Sequence, residues 1–156
     1  PSMALLLTQI RKSMKGIKYP SSPPSVVDKM IKITKEDFNI DKELADMKDS
    51  RVGGIVTFIG VVRGNSQGKP VGSLDIEVYP EMAYTQLREI RDEAISQFGL
   101  DNVKIVHRYG KLNVGDNIVL IAVASSHREE AFTGCRYIID ELKRRVPIWK
   151  KEHRPD

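Results

Sequence analysis

The pattern of apolar residues along this 156-residue chain predicts an α+β fold, with a mixed or antiparallel sheet and two long helices. Three observations carry that class. Residues 54–62 (GIVTFIGVV) and 118–124 (IVLIAVA) are β-branched apolar runs beside glycines or turn residues, and they read as strands. Ala83, Leu87, Ile90, Ala94 and Phe98 recur at helical spacing, and a second helical stripe follows Ser126. Strands and helices mix without strict βαβ alternation, which argues against a doubly wound parallel sheet.

The first 30 residues read as a flexible basic extension. Pro1-Ser2 ahead of Met3 has the look of a cloning remnant, and Tyr19-Pro20-Ser21-Ser22-Pro23-Pro24-Ser25 cannot hold a helix or a sheet ladder. Ala4 to Lys18 is basic, partly apolar and free of acids, a weak likeness to a transit peptide. Its apolar run, residues 4–7, is too short for a secretory signal core. A single domain is expected over 31–156. Ile31 and Ile33 suggest a short strand and residues 41–47 a short helix. Residues 64–70 (GNSQGKP) form a turn-rich loop. Leu74, Ile76 and Val78 then alternate with Asp75, Glu77 and Tyr79, as in a half-buried strand.

The first long helix should stop at Gly99, which tolerates the left-handed conformation of a helix end. Residues 103–106 are another strand candidate and 114–117 (VGDN) a turn. Ser126, with Glu129 three residues on, reads as a capping box that starts the second helix, and Pro147 ends it. Phe132, Cys135, Ile139, Leu142 and Val146 are its expected buried stripe.

Composition excludes several functions. No run approaches the roughly 18 consecutive apolar residues of a membrane helix, so a spanning protein is not expected. One cysteine excludes an internal disulfide framework and fits a reducing, cytoplasmic compartment. The net charge of +4 conceals a division: residues 1–27 and 143–156 carry +4 each, which leaves −4 on the body between them. That is not the charge distribution of a uniformly basic nucleic-acid binder.

The glycines match neither a P-loop nor a dinucleotide fingerprint. His107, His127, His153 and Cys135 never fall at metal-ligand spacing, so neither a metal nor another cofactor is expected. Cys135 sits on an apolar stripe, where packing explains it. Four positions have more to offer. Ser125-Ser126-His127-Arg128 joins a strand to a helix start, where free N–H groups favour an anion. There Ser126 is expected to cap, and Arg128 falls near the centre of the Phe132–Cys135–Leu142 stripe. For His127 and Arg128, anion binding and an incidental or ion-paired surface role stand level. Lys143 lies at the boundary between core and solvent, and a lysine part-buried near other cations becomes a plausible nucleophile or base. Pro147 turns the chain so that Lys150 can return towards it, with Trp149 as an apolar wall. Arg63 ends the first strand beside a loop able to close over a ligand. The cluster suits an anionic substrate. The rival reading is a non-enzymatic nucleic-acid-binding module using 143–154, for which one tryptophan offers little stacking platform.

In order along the chain stand Gly60-Val61-Val62-Arg63, Glu77-x-Tyr79-Pro80-x-Met82, His107-Arg108-x-Gly110 with Gly115-Asp116, Ser125-x-His127-Arg128, and Lys143-x-x-x-Pro147-x-Trp149-Lys150-Lys151-Glu152. Together, over roughly 51–152, they resemble the large, catalytic subunit of molybdopterin synthase. The resemblance implies an α/β-hammerhead type of α+β fold and a homodimer within a heterotetramer. It also implies a small ubiquitin-like partner whose thiocarboxylated C-terminus donates sulfur to cyclic pyranopterin monophosphate, forming the dithiolene of molybdopterin. By matching position it makes Lys143 and Lys150 catalytic. Val61, Val62, Arg63, His127, Arg128, Lys143, Lys150, Lys151 and Glu152 would adjoin the ligands. No nucleic acid, membrane or metal enters that chemistry. The sulfur comes from the partner, in keeping with a structural Cys135.

Overall fold

The computed structural model describes residues 29–155 together with Leu5. The extension expected over 1–30 therefore lies outside the described residues, except for Leu5, Lys29 and Met30. The centre of the fold is a four-stranded sheet in the order β1-β6-β8-β2, formed by Ile31–Thr34, Asn102–Arg108, Asn117–Ser125 and Gly54–Val61. β1 runs parallel to β6, whereas β8 is antiparallel to both β6 and β2, so the sheet is mixed, as the sequence predicts. β8 is buried along nearly its whole length, which explains its almost unbroken apolar run: a central strand packed on both faces needs no polar alternation.

The two-residue period of the strands sorts the core into two sides. Val103 and Ile105 of β6 and Val119, Ile121 and Val123 of β8 face the two long helices, α2 (Pro80–Phe98) and α3 (Arg128–Arg145). Leu87, Ile90 and Ala94 of α2 and Ala131, Cys135, Ile138 and Leu142 of α3 pack against them. The alternate residues turn the other way: Val106 and Leu120 meet Phe38, and Ala122 and Ala124 meet Met47, around the short α1 (Ile40–Leu44). Lys104 lies on that second side, almost fully buried, and donates to the Glu43 carbonyl and to Asp46 Oδ1, both at 2.6 Å.

A second sheet, β7-β5-β9, is formed by Gly110–Asn113, Ser73–Val78 and Ile148–His153, all antiparallel. Neither β7 nor β9 was predicted. β9 is short and half-charged, so its residues follow no apolar alternation, and its partner β5 supplies the ladder instead. Residues 64–70 close as a small hairpin, β3 (Asn65–Ser66) with β4 (Lys69–Pro70), about a turn with positive φ at Gln67 and Gly68. Gly99 ends α2 at φ +64°, as expected.

α3 corrects three expectations. Its N-cap is His127, and the Ser126 hydroxyl makes no cap. It donates instead to the Arg51 carbonyl at 2.9 Å. The chain before β2, which carries Arg51, passes so close that a side chain at Gly53 would meet the Ser126 carbonyl. Phe132 is not on the buried stripe: it is 63% exposed. The stripe centres on the small residues Ala131 and Gly134, where Leu100 packs so tightly that a Cβ on Gly134 would stand 2.8 Å from Leu100 Cδ1. Arg128, expected to point inward with Phe132, is likewise exposed.

Candidate active site

The C-terminal end of α3 overhangs the end of the mixed sheet, and a cleft of about 610 Å³ opens between them. Its floor and sides are apolar: Phe58, Ile118, Val119 and Ile121 from the sheet, and Ile139, Leu142 and Val146 from α3 and its cap. Gly60 widens the floor, since a Cβ there would stand 2.8 Å from Val119 Cγ1. Into this apolar trough three cations project: Arg63 from the segment after β2, Lys143 from the last turn of α3, and Lys150 from β9. Clustered cations of this kind suit an anionic ligand.

The pairing of β9 with β5 explains which side chains arrive. Directly opposed residues in an antiparallel pair point to one face. Lys150 lies opposite Ile76 and Glu152 opposite Leu74, so both share the inward face of β5. Lys151 lies opposite Asp75 and projects from the other face, where it lines a separate polar cleft of about 640 Å³ with Lys35, Tyr79 and Tyr109. Val61, at the exposed end of β2, lines the main cleft. With Val62, Arg63, Lys150 and Glu152 it also lines an adjoining recess of about 110 Å³. Val62 is buried and its backbone is fixed, donating to the Asp116 carbonyl at 3.0 Å and accepting from Gly115 N–H at 2.9 Å.

The structure thus gathers Val61, Arg63, Lys143 and Lys150 around the main cleft, with Val62 and Glu152 in the recess that adjoins it. His127 and Arg128 stand elsewhere. Both are exposed at the start of α3, and Arg128 lies fifteen helical positions before Lys143, about 22 Å at 1.5 Å per residue. The basic run at the C-terminal end does not make a continuous face either. Arg145 is occupied by Glu93, Glu89 and Glu141, and Lys150 and Lys151 leave β9 on opposite sides.

Electrostatics single out Lys150. Although much of it is solvent-accessible, its place in the cleft wall costs the ammonium part of its hydration. That burial lowers its pKa first, and the charges of Lys143 and Arg63 lower it further, against a smaller opposing effect of Glu152. The other perturbed group is His107 of β6, on the cleft floor and absent from the sequence-derived set. It is 3% exposed, and burial pushes its pKa down to about 4, with the nearby Lys150 charge acting in the same direction. Cys135 lies outside the cleft lining, buried under α3, and burial raises its thiol to about 11. Among the described residues no group of His, Cys, Asp and Glu is arranged to hold a metal ion, and no helix is long and apolar enough to cross a membrane.

Fold and site together define a class: an α+β protein with a cation-lined cleft whose lining contains no thiol. Comparison with known proteins makes this specific. The family model described as MoaE protein matches residues 33–145. A molybdopterin synthase catalytic subunit from Pyrococcus abyssi is 46% identical over 117 residues, covering 75% of this chain and 79% of that protein. The crystal structure of molybdopterin synthase from Staphylococcus aureus superimposes with a TM-score of 0.75 at 36% identity, over 80% of this chain and 91% of that one. A complex of subunits 1 and 2 of the molybdopterin-converting factor from Helicobacter pylori shares the fold, with a TM-score of 0.66 at 20% identity over 79% of this chain and 84% of that one. The chain belongs to the MoaE family, the catalytic subunits of molybdopterin synthase.

Proposed function

We propose that the cleft receives the thiocarboxylated C-terminal tail of a small ubiquitin-like partner together with cyclic pyranopterin monophosphate, and that sulfur passes from the first to the second to build the molybdopterin dithiolene. The observation that carries this reading is the convergence of Arg63, Lys143 and Lys150 on one largely apolar cleft. Thiocarboxylate and phosphate are both anions, and fixed cations offset the repulsion that would otherwise keep them apart. The chain's one cysteine is buried and held as the thiol, which supports a sulfur supplied by a second molecule. The two-subunit assembly of the Helicobacter pylori protein supports a partner of that kind.

In this reading Lys143, at the cleft mouth, acts as base or as a transient covalent partner of the acyl group. Lys150 assists, and its lowered pKa raises the fraction of neutral amine at a given pH. Arg63 remains a cation throughout and holds the phosphate or the tail. Val61, Val62 and Glu152 shape the recess beside it. His127 and Arg128 are too far from Lys143 to serve the same cleft of one chain. In a homodimer they bind the anionic groups at the cleft of the second subunit, and Lys151 contacts ligand or partner from the far face of β9.

The test is reconstitution. Wild-type protein, thiocarboxylated small subunit and cyclic pyranopterin monophosphate should yield the dithiolene product, and Lys143→Ala should lower the rate at least about a hundredfold with an unchanged melting temperature. Mixing Lys143→Ala with Arg128→Ala subunits should restore part of the activity. Absence of product with the wild type, or full activity in Lys143→Ala, refutes the reading.

A further inference from the structure

The two larger sheets end in four edge strands, and three of them are guarded. β1 and β7 have four residues each, and β1, β7 and β9 all carry lysine. β2 is different. Its eight residues, Gly54–Val61, hold no charge and no proline, and its register against β8 slips only at the last step. Among the described residues no strand pairs its outer side, so alternate residues present unpaired N–H and C=O groups there. A long, regular, uncharged edge of this kind is a template for another strand.

α3 runs over the same edge, packed on β8 and β2. At about 100° per residue Phe132, Ile139 and Lys143 fall within about 40° of one another, with Arg128 about 20° further round. This stripe leads from the start of α3 to the cleft mouth, where Ile139 and Lys143 line the opening. Phe132 on the stripe is 63% exposed, and Val61 at the end of β2 is 44% exposed. Exposed apolar surface therefore flanks the free edge.

We propose that two copies of this chain join through β2, edge to edge and antiparallel, about a two-fold axis perpendicular to the sheet, so that His127 and Arg128 of each copy complete the cleft of the other. A two-fold axis requires one patch to fit itself, and an antiparallel strand does so. β2 spans about 24 Å at 3.4 Å per step, close to the length of α3 between Arg128 and Lys143. Reversing the strand about its middle, near Thr57 and Phe58, therefore also exchanges the two ends of α3. Gly54 pairs with Ser125, and Gly53 lies against Ser126, so the start of β2 stands beside His127. Its end, Val61, lines the cleft. Opposite Val61 of one copy comes Gly54 of the second, with His127 and Arg128 next to it. The two α3 helices then lie antiparallel on one side of an eight-stranded sheet, and Phe132 of each faces Ile139 of the other. An extended peptide tail would cover the edge, but it would leave Phe132 in water and Arg128 outside any cleft. The inference rests on the sulfur-transfer reading for what Arg128 binds, though not for the pairing of the strands.

Sedimentation at micromolar concentration should give wild-type protein twice the mass of the chain. Native-state amide exchange on the same sample reads the edge itself. Paired on both sides, residues 54–61 should keep nearly all their amides over minutes, whereas a free edge releases about half, its alternate N–H groups. Thr57→Lys sets like charges beside the axis. It should raise the dimer dissociation constant at least about a hundredfold, free the outer amides of β2 and lower sulfur transfer with them. Phe132→Lys changes an exposed helix position and should weaken the dimer in the same sense, which covers a Thr57→Lys chain that does not fold. A monomeric wild type overturns the proposal, as does a dimer that both variants leave intact. So does a dimer whose residues 54–61 exchange like a free edge, or edge protection that arises only when the small subunit is added. A dimer with protected β2 that makes no dithiolene refutes the sulfur-transfer reading and leaves the interface standing.

Discussion

Acidification should remove a measurable part of this protein's stability through His107 alone. Its pKa falls from the ordinary 6.5 to about 4, burial being the larger cause and the Lys150 charge the lesser. The group is neutral in the folded protein at a pH where it is already protonated in the unfolded chain. Between pH 6.5 and about 4 the unfolded state therefore binds more protons, and stability rises with pH. The contribution is fully present above pH 6.5 and is lost as pH falls towards 4. Integrating the difference gives a loss of about 2 kcal/mol by pH 5 and nearly 3, as an order of magnitude, by pH 4. The ring is almost fully buried, so solvent screening takes little from that figure.

The assay is urea unfolding at pH 7, 6, 5 and 4, followed by the fluorescence of the single tryptophan, Trp149, for wild type and His107→Gln. Asp46, Glu93 and Glu141 also have lowered pKa values and weaken the fold in acid, but they are common to both proteins and cancel in the difference. The stability of wild type relative to His107→Gln should therefore shrink by about 2 kcal/mol between pH 7 and 5. A difference that stays constant within about 0.5 kcal/mol across that range refutes the assignment of a buried, neutral imidazole.

Two further outcomes follow from the same packing. The Cys135 thiol, raised to about 11 by burial, stays protonated at pH 8, so iodoacetamide should leave the native protein unlabelled and label it in denaturant. Cys135→Ala should still transfer sulfur, and rapid native labelling would contradict the burial. At Gly60 an added methyl meets the short, rigid side chain of Val119 at 2.8 Å on the cleft floor. Gly60→Ala should cost about 1–3 kcal/mol of stability and raise KM by narrowing the trough, and unchanged urea midpoint and KM would show that Val119 yields freely.

What the sequence revealed of the fold depended on whether burial leaves a period. β8 is packed on both faces and β5 on one, so continuous and alternating apolar patterns identified them. α2 showed both its stripe and its stop, since Leu87, Ile90 and Ala94 repeat at helical spacing and only a residue tolerant of positive φ suits Gly99. β9 left no such trace: its residues Trp149, Lys150, Lys151 and Glu152 are half-buried or exposed, and the strand exists because β5 offers an edge. At the start of α3 a capping pattern was present, yet tertiary contact prevailed, for the Ser126 hydroxyl serves the Arg51 carbonyl instead. Choosing Phe132 over Ala131 and Gly134 for the stripe put size ahead of fit. The closest helix packing here is made by the smallest residues.

The site was legible to the extent that charge announces chemistry, and it became obscure where sidedness decides. Arg63, Lys143 and Lys150 are conspicuous as cations, and a chain that turns at Pro147 has to bring the last two near each other. Lys150 and Lys151 are equivalent in sequence and opposite in space, because a strand alternates while a charge run does not. His127 and Arg128 resemble site residues by type, but fifteen positions of helix separate Arg128 from Lys143, a distance that no side chain spans. His107 had the converse problem. It sits in a mostly apolar strand beside Arg108, and although His107-Arg108-x-Gly110 stands out as a motif, nothing in residue type placed the ring in the cleft. The signal was available in the period: Val103, Ile105 and His107 are successive inward positions, so a polar ring at the third falls where the core gives way to the cleft. Period two applied beyond the last apolar residue would have found it. The most strongly perturbed group of the cleft is therefore one that residue type alone ranks as ordinary, and only the end of a strand explains it.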